Sequence, residues 1–487
     1  MNDTQGNIIT DEISDNRLHS FLQRWLEKNK LYGEKLKGIR LCGHATLKEH
    51  NAVFVVTNGE ATRYSTLIRC KSAWSCPYCA PRAMANKGTD IACAIDALAT
   101  KYNQQAAMFT FTLPHDKYMS CDDAYQILLA TWRDFIRYGR TNKRKKSYAL
   151  KTDVNDKNKS YGTVNGTKSE FDKRAVGKRG EIREIAIAAS DPWSSCRAEL
   201  GFQHFVKVYE FTYGENGWHP HIHLLAWVPK ENLQRFTEYE DRMLERWWAC
   251  ARKQATKYYT KKYPDDVDNV NERVNTVYAD YKMHTKDGHR AVYISKNKAG
   301  KVVAQSSSFY ISGWSGNMEM TASCNAKKAK EGHLTPFQML AKACANAQEA
   351  EKYMPLFIEY AVTVHKHRRV EFSSRTGLTK IIDEWKQSEE YVRTLKKKVT
   401  GEADIRPWKV VAWFSKEQWC DICDWDISTD EDIRYEILQR AKEPDPWNAI
   451  AEYVQGFNVF LYPFKHPLQD RFESQIYENK LLAEQSC

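Results

Sequence analysis

The chain has 487 residues and carries 73 Lys and Arg against 62 Asp and Glu, which gives a net charge of +11. This length predicts more than one folded unit with ample material for a core, and the basic excess favours an acidic partner, although it also serves solubility. No run approaches about 18 apolar residues, and residues 1–16 lack the apolar core of a signal peptide. The sequence therefore predicts a cytoplasmic protein without a membrane partner.

Four cysteines near the N-terminus form a metal-binding pattern. In a cytosolic chain most of the 13 cysteines should be reduced, so a cluster of them is expected to hold a metal and not disulfides. Cys70, Cys76 and Cys79 have the spacing C-x5-C-x2-C, and Cys42 supplies a fourth thiolate from upstream. A redox pair is the alternative, but no thioredoxin-like pattern surrounds the C-x-x-C, and the third cysteine favours structural zinc. His44 is the reserve ligand if Cys42 does not bind.

Basic side chains accompany this zinc knuckle. Arg69, Lys71 and Arg82 lie within or beside the cysteine pattern. They are candidates for contacts with DNA phosphates, although a basic surface needs no ligand.

The next predicted elements are a strand, a helix and an insertion. Residues 106–115 alternate in an apolar pattern that predicts a β-strand, and a helix-like stretch follows from Cys121 to Tyr138. From Arg140 to Glu184 the composition changes to Lys, Asn, Ser, Gly and Thr, which bury little apolar surface. We therefore predict a flexible insertion around residues 140–184.

A β-hairpin occupies the centre of the chain. Residues 205–213 and 218–225 have strand-like patterns, and residues 214–217, Gly-Glu-Asn-Gly, are a turn signal. Centring the hairpin on this turn pairs Tyr213 with Trp218. This register determines which side chains lie opposite one another along the two strands.

Two histidines and a carboxylate meet in that register. His221 and His223 share a face of the second strand because residues i and i+2 point the same way. Counting back from the turn places Glu210 opposite His221 and Val208 opposite His223, with opposed Cβ atoms about 5 Å apart. A His-x-His alone is more often a pair of core histidines, but with Glu210 in register the three side chains can bind one ion.

At these residues the chain resembles the HUH endonucleases, and within them the rolling-circle plasmid replication initiators, or Rep proteins. The family's histidine strand is similar to Gly217-Trp218-His219-Pro220-His221-Ile222-His223. The knuckle is similar too, with a CG pair at Cys42, a basic C-x-S segment at Cys70 and a CPxC turn at Cys76. The resemblance covers most of residues 40–378 and is closest at the knuckle and the histidine strand.

The resemblance implies roles for individual residues. Glu210, His221 and His223 would bind a divalent catalytic ion, Mg²⁺ or Mn²⁺, and His219 would be a neighbouring ligand-shell or substrate contact. The strand 106–115 resembles the family's first motif, a core strand beside the histidine strand, with Thr110 and Thr112 as possible DNA neighbours.

Tyr310 is the candidate nucleophile that the resemblance supplies. In the initiators a tyrosine follows the histidine strand on a helix, in a Y-x-x-K-W-like pattern, and residues 332–340 match a TPF-x-L segment that closes that domain. Two positions depart from the family. Gly313 stands where a lysine is frequent, and Ser306 stands where some members have a glutamate that ends the reaction with water. Glu319 is a distant candidate for that second base.

The resemblance implies a nicking and rejoining reaction on single-stranded or supercoiled origin DNA. A cation would act as Lewis acid on the scissile phosphate, and Tyr310 would form a 5′-phosphotyrosyl intermediate. The free 3′-hydroxyl would then prime synthesis by the host replication machinery. The stored phosphotyrosine bond allows rejoining without a nucleotide cofactor.

These elements together predict an α+β fold. A central antiparallel sheet with packed helices carries the HUH metal site, a zinc knuckle precedes it, and a mostly helical C-terminal region follows. The predicted domains are an N-terminal tail over 1–36, the zinc module over 37–100, the endonuclease domain over 101–340 and a C-terminal accessory region over 341–487.

Other functions remain open at this point. A rolling-circle transposase or a relaxase would use the same metal site, although relaxases place their tyrosines before the histidine strand. A zinc hydrolase using His219, His221 and His223 would need neither tyrosine nor DNA. A non-catalytic zinc DNA-binding protein would keep only the knuckle.

Overall fold

The computed structural model describes residues 15–59, 61–137, 192–278, 290–306, 333–365, 367–373, 377–393, 408–429 and 431–474, together with the backbone of five short strands between 140 and 187. The fold is α+β with antiparallel sheets. The chain divides into two compact units, the first formed by residues 1–125, 203–233 and 295–487, the second by 126–202 and 234–294. Each unit is discontinuous in sequence, unlike the four consecutive domains expected above.

The described strands, numbered in chain order, are β1 Ala52–Thr57, β2 Thr62–Ser65, β3 Gln104–Thr112, β4 Arg140–Arg144, β5 Lys151–Thr152, β6 Lys159–Val164, β7 Thr167–Asp172, β8 Arg183–Ile187, β9 Phe205–Gly214, β10 Gly217–Pro229, β11 Val292–Ile294, β12 Val370–Phe372 and β13 Lys409–Ser415. The described α-helices are Asp15–Lys28, Lys30–Lys35, Lys37–Arg40, Cys79–Tyr102, Cys121–Arg137, Pro192–Leu200, Glu240–Lys262, Val267–Val277, Pro336–Ala345, Ala347–Val364, Leu378–Lys386, Lys416–Ser428, Ile433–Arg440 and Pro446–Gln455. A 3₁₀ segment covers Lys230–Tyr239.

The main sheet of the first unit has the histidine strand β10 between β3 and β9, and β12 adds to the outer edge of β9. All of these pairings are antiparallel. The predicted register of the hairpin is confirmed, since Tyr213 pairs with Trp218 and Glu210 with His221. The strands extend to the two glycines of the turn signal, and Gly217 has a φ of +83°, which a residue with a side chain rarely adopts.

One face of this sheet is buried by the helices Cys79–Tyr102 and Leu378–Lys386. Apolar side chains that alternate along the strands supply the sheet side of this core: Ala106, Met108, Val206, Val208, Leu225 and Trp227. They lie on the same face as His221 and His223, because strand residues of equal parity share a face. This core therefore anchors the end of β10 that follows the two histidines, and so fixes the strand that carries them.

Aromatic rings fill the opposite face of the sheet. Phe211 on β9 contacts Tyr125 of the helix Cys121–Arg137 and Tyr360 of the helix Ala347–Val364, with ring centroids 5.7 and 6.3 Å apart. The Trp218 ring stacks on Tyr360, and its indole nitrogen donates to the Glu359 carboxylate at 3.0 Å. Two helices therefore hold the hairpin from this side.

Within the predicted N-terminal tail, residues 15–35 form two helices. In the first of them Leu18, Leu22 and Leu26 are fully buried, at the spacing of one apolar helix face. Arg24 of the same helix forms an ion pair at 2.8 Å with Asp432, a residue of the C-terminal region. A polar sequence with three well-spaced leucines thus forms part of the core.

The C-terminal region does not stand apart from the zinc module. Strand β1 lies between β2 and β13, so residues 52–57 pair with residues 409–415. The Trp419 indole nitrogen also donates to the Gly43 carbonyl at 2.9 Å. Long-range strand pairing of this kind leaves no local sequence signal, which is why the expected boundaries at 36, 100 and 340 miss it.

The second unit contains the segment expected to be a flexible insertion. Its backbone forms short antiparallel strands, with β4 paired to β8 and β6 between β5 and β7, so the segment is not devoid of structure. Elsewhere in this unit Phe135 contacts both Trp193 and Trp247, with ring centroids 5.6 Å apart in each pair. The helix Glu240–Lys262 supplies Trp247, as the helical spacing of residues 232–257 predicts.

Among the helices that the structure describes, none has the length and apolar character needed to cross a membrane.

Candidate metal centres

The four cysteines predicted to bind zinc are brought together. One ligand atom from each of Cys42, Cys70, Cys76 and Cys79 lies within 4.8 Å of all the others. The Cys42 sulfur is 3.6 Å from that of Cys79 and 3.8 Å from that of Cys76. Four sulfurs bound tetrahedrally at about 2.3 Å from zinc lie about 3.8 Å apart, so the cluster fits this ion.

The backbone around Cys42 is held by contacts that the sequence did not reveal. The Gln23 amide donates to the carbonyls of Ile39, Arg40 and Cys42 at 2.8–3.0 Å, so the first helix fixes the chain that carries the upstream thiol. Gly43 follows with a φ of +78°, and a Cβ there would lie 2.5 Å from the Arg69 guanidinium. Gly43 is therefore needed for the backbone conformation, whereas a side chain there would also require the end of Arg69 to move.

Neighbouring thiols change each other's acidity. Hydrogen bonds from Cys70, Cys76 and Cys79 lower the pKa of the Cys42 thiol, whereas burial raises the pKa of Cys76. A cluster of this kind releases protons when a cation replaces them. His44, the reserve ligand, is outside the group, and burial lowers its pKa to about 3.

The basic residues of the knuckle divide into two sets. Arg69 and Arg82 both lie against the Tyr78 ring, with guanidinium carbons 3.7 and 3.8 Å from the ring centroid. Arg82 also donates to the Tyr78 carbonyl at 2.5 Å. Cation–π contacts thus give these two arginines a role in holding the knuckle. Lys71 differs from them, because its side chain is exposed.

The hairpin brings Glu210 and the two histidines to one face of the sheet. A Glu210 carboxylate oxygen lies 2.7 Å from Nε2 of His223, and both side chains are buried. The ring of His221 lies next along the strand, 5.9 Å from that of His223 between centroids. The ligand atoms of Glu210, His221 and His223 do not all lie within 4.8 Å of one another. In the described part of the chain, the cysteine cluster is the group that is this compact.

Two threonines of β3 orient the histidine rings. The Thr110 hydroxyl is 3.1 Å from Nδ1 of His223, and the Thr112 hydroxyl is 3.3 Å from Nδ1 of His221. A hydroxyl can donate or accept, so it suits either tautomer of the imidazole. Fixing Nδ1 aims Nε2 of each ring away from β3, an arrangement typical of histidines that bind metals. The sequence suggested these threonines only as DNA neighbours.

His219 belongs to a hydrogen-bonded chain with His115, which sequence reasoning missed. The Leu113 carbonyl can only accept, so Nδ1 of His115 donates to it at 3.1 Å. In a neutral ring Nε2 of His115 then accepts from Nδ1 of His219, 3.1 Å away. Burial, followed by the nearby histidines, lowers the pKa of His219. The ring is therefore neutral and presents Nε2 beside the hairpin site.

The TPF segment returns to this hairpin. Leu334 forms an antiparallel bridge with Tyr213, and the His333 ring lies 5.6 Å from that of His219. Thr335 begins the helix Pro336–Ala345 with a capping box completed by Gln338. The segment after the candidate nucleophile therefore ends beside the histidine strand.

The candidate tyrosine itself lies outside the described residues, as do Gly313 and Glu319. Ser306 is described and exposed. Tyr293 is a second candidate nucleophile from the sequence, because it forms a Y-x-x-K string with Lys296. It is 39% exposed on β11 of the second unit.

The chain is thus an α+β protein with a four-cysteine group that could hold a zinc ion. Comparisons with family models, with curated proteins and with solved structures found no match.

Proposed function

We propose that this protein is a rolling-circle replication initiator of the HUH endonuclease type, which nicks and rejoins single-stranded origin DNA. The observation that carries the proposal is the arrangement around Glu210, His221 and His223. They share one face of an antiparallel hairpin, and hydroxyls of the neighbouring strand hold Nδ1 of both rings. If the histidines only packed in the core, they would not need the Glu210 carboxylate, whose oxygen lies 2.7 Å from Nε2 of His223.

The residues present suit a divalent cation such as Mg²⁺ or Mn²⁺. Glu210 Oε2 and His223 Nε2 are close enough to bind the same ion, and a mixed imidazole and carboxylate set accepts metals of this kind. The bound cation would polarise the scissile phosphate as a Lewis acid. His219 completes the surroundings with a neutral ring whose Nε2 can contact the substrate beside the ion.

Tyr310 is the proposed nucleophile, on the strength of its place before the TPF segment. Its phenol oxygen would bond to the scissile phosphorus and give its proton to solvent water. The bond from phosphorus to the 3′-oxygen of the preceding nucleotide would break, and that oxygen would take a proton from water. The products are a 5′-phosphotyrosyl link and a free 3′-hydroxyl. The reverse step rejoins the strand, because the phosphodiester energy is kept in the phosphotyrosine bond.

Tyr310→Phe tests this assignment. The change removes one oxygen with almost no change in volume, so the variant should bind metal and DNA but form no covalent adduct. Tyr293→Phe is the matched control and should form the adduct normally. Mass spectrometry of the peptide crosslinked to a single-stranded oligonucleotide identifies the residue, and a nucleotide on any residue other than Tyr310 contradicts the proposal.

Thr110→Val tests how the histidine ring is oriented. The near-isosteric change removes the hydroxyl at Nδ1 of His223, and losing such a support typically costs about 10–100-fold in metal affinity. Titration with Mn²⁺, followed by electron paramagnetic resonance, measures the affinity. Thr131→Val is the control, since its buried hydroxyl has no hydrogen-bond partner in the described chain. Equal Mn²⁺ affinity in both variants would argue against a metal at His223.

A further inference from the structure

A second site is suggested by a cavity of about 760 Å³ in the first unit. Five parts of the chain line it: residues 36–39, the knuckle loop 70–74, the helix Cys79–Tyr102, residues from 365 to 372, and the helix Leu378–Lys386. This volume lies within the about 300–1,000 Å³ that binding pockets occupy. The residues of the proposed cleavage site, Glu210, His221 and His223, do not line it.

The walls of this cavity are fixed to one another and to the main sheet. The Trp74 indole nitrogen donates to the His367 carbonyl at 2.8 Å, which ties the knuckle loop to residues 365–372. The Tyr209 amide donates to the Arg369 carbonyl at 3.0 Å, and Val370 pairs with Val208. The site is therefore preformed, and a ligand need not order its walls.

The acidic groups of the cavity are mostly engaged. Asp90 accepts from Lys87 at 2.9 Å and from Lys386 at 2.7 Å. Glu371 pairs with the buried Lys207 at 3.0 Å. Asp383 is the remaining acid among the lining residues.

Fewer of the cavity's cations than of its acids have an ion-pair partner within the described residues. Lys71 and Arg368 are exposed and have no ion-pair partner within the described residues. Arg369 is held in the wall instead, since it donates to the Ala73 carbonyl at 3.4 Å and its guanidinium lies 5.5 Å from the Trp74 ring centroid. Two exposed cations without an ion-pair partner thus accompany one remaining acid, which suits an anionic ligand with several acceptor oxygens.

We propose that this cavity binds the phosphodiester backbone of a single-stranded DNA segment that lies outside the cleaved bond. The proposal rests on the function proposed above, since it gives the same substrate a second point of attachment. Phe372 lines the cavity as a partly buried ring on which a base can stack, with the Lys87 ammonium 5.3 Å from its centroid. Stacking on this ring needs an unpaired base, so the proposed ligand is a single strand and not a base-paired duplex.

The salt dependence of DNA binding tests the phosphate contacts. We compare the wild-type chain with Lys71→Gln/Arg368→Gln, using a fluorescein-labelled single-stranded oligonucleotide of mixed sequence. The buffer contains no added Mg²⁺ or Mn²⁺, which prevents cleavage without removing the structural zinc. Each phosphate contact on a single strand contributes about 0.7 to the slope of log K against log salt, so losing two contacts should lower the slope by about 1.4. The control is Lys30→Gln/Lys442→Gln, which changes two exposed lysines that do not line the cavity.

An unchanged slope in the cavity variant, with the fold and zinc content intact, overturns the proposal. So does a slope that falls equally in the control variant. Binding of a blunt duplex as tightly as the single strand, or competition by deoxyadenosine monophosphate at equal phosphate concentration, also overturns it, since either result assigns a different ligand.

Crosslinking then locates the strand. Oligonucleotides carrying 5-iodouracil at successive positions should crosslink on irradiation to peptides within 71–74 or 365–372. Crosslinks confined to other peptides count against the cavity. The outcome is separate from that of the cleavage proposal: an adduct on Tyr310 with no slope change overturns only the cavity, and a slope change with no adduct overturns only the cleavage chemistry.

Discussion

His221→Ala is expected to abolish metal-dependent cleavage of single-stranded DNA while leaving the fold intact. The side chain is only partly buried, so its removal deletes a proposed ligand and little core volume. A metal acting as Lewis acid contributes several kcal/mol to transition-state stabilisation; at 1.36 kcal/mol per tenfold change in rate, about 4 kcal/mol corresponds to a loss of about a thousandfold. A gel assay with Mn²⁺ measures the cleavage rate.

His223→Ala should lose the same activity for a second reason. Its ring is 4% exposed and its Nε2 is the partner of Glu210, so the change also leaves a buried carboxylate without that partner. This variant should unfold at a lower temperature than His221→Ala. His50→Ala, at another partly buried histidine of the first unit, is the control and should cleave normally. If either hairpin variant cleaves at near the wild-type rate, these histidines do not hold the catalytic ion.

Cys76→Ser is expected to remove zinc and to destabilise the first unit strongly. Cys76 is fully buried within the sulfur cluster, and a serine hydroxyl is a poor substitute for a thiolate. Structural zinc in small domains contributes about 10–16 kcal/mol of apparent binding free energy, comparable with the about 5–15 kcal/mol stability of a whole domain. Elemental analysis should find one zinc per wild-type chain and none in the variant.

The control for this experiment is Cys93→Ser. Cys93 is also buried, 1% exposed, but it belongs to the apolar core and not to the sulfur cluster. The Cys93→Ser variant should keep its zinc. Its free energy of unfolding should fall only by the cost of placing a hydroxyl in that core, about 1–3 kcal/mol. Zinc retained by Cys76→Ser, or lost equally from Cys93→Ser, would refute the four-cysteine site.

The hairpin and the cysteine cluster were predictable from the sequence because their information is local. A glycine-bounded turn and strand alternation suffice to pair Tyr213 with Trp218, and this register places Glu210 opposite His221. Three of the cysteines lie within ten residues, so their sulfurs can meet with little help from the rest of the chain. For Cys42 the CG pair was the available signal.

Tertiary structure alone decided which distant groups complete these sites. Thr110 and Thr112 reach the histidines because β3 pairs with β10, about a hundred residues away in sequence, and His115 reaches His219 for the same reason. Contacts of this kind depend on which strands become neighbours.

The contacts that join distant parts of the first unit depend on tertiary structure in the same way. Residues 15–28 look polar in sequence, yet their three leucines become core when the helix meets the C-terminal region, and β1 pairs with β13 across more than half of the chain. An amphipathic helix and a short apolar strand specify a face to be buried but not the partner that buries it. Local pattern therefore determined the elements and the candidate metal ligands of this protein, and packing determined how distant segments join the four-cysteine module.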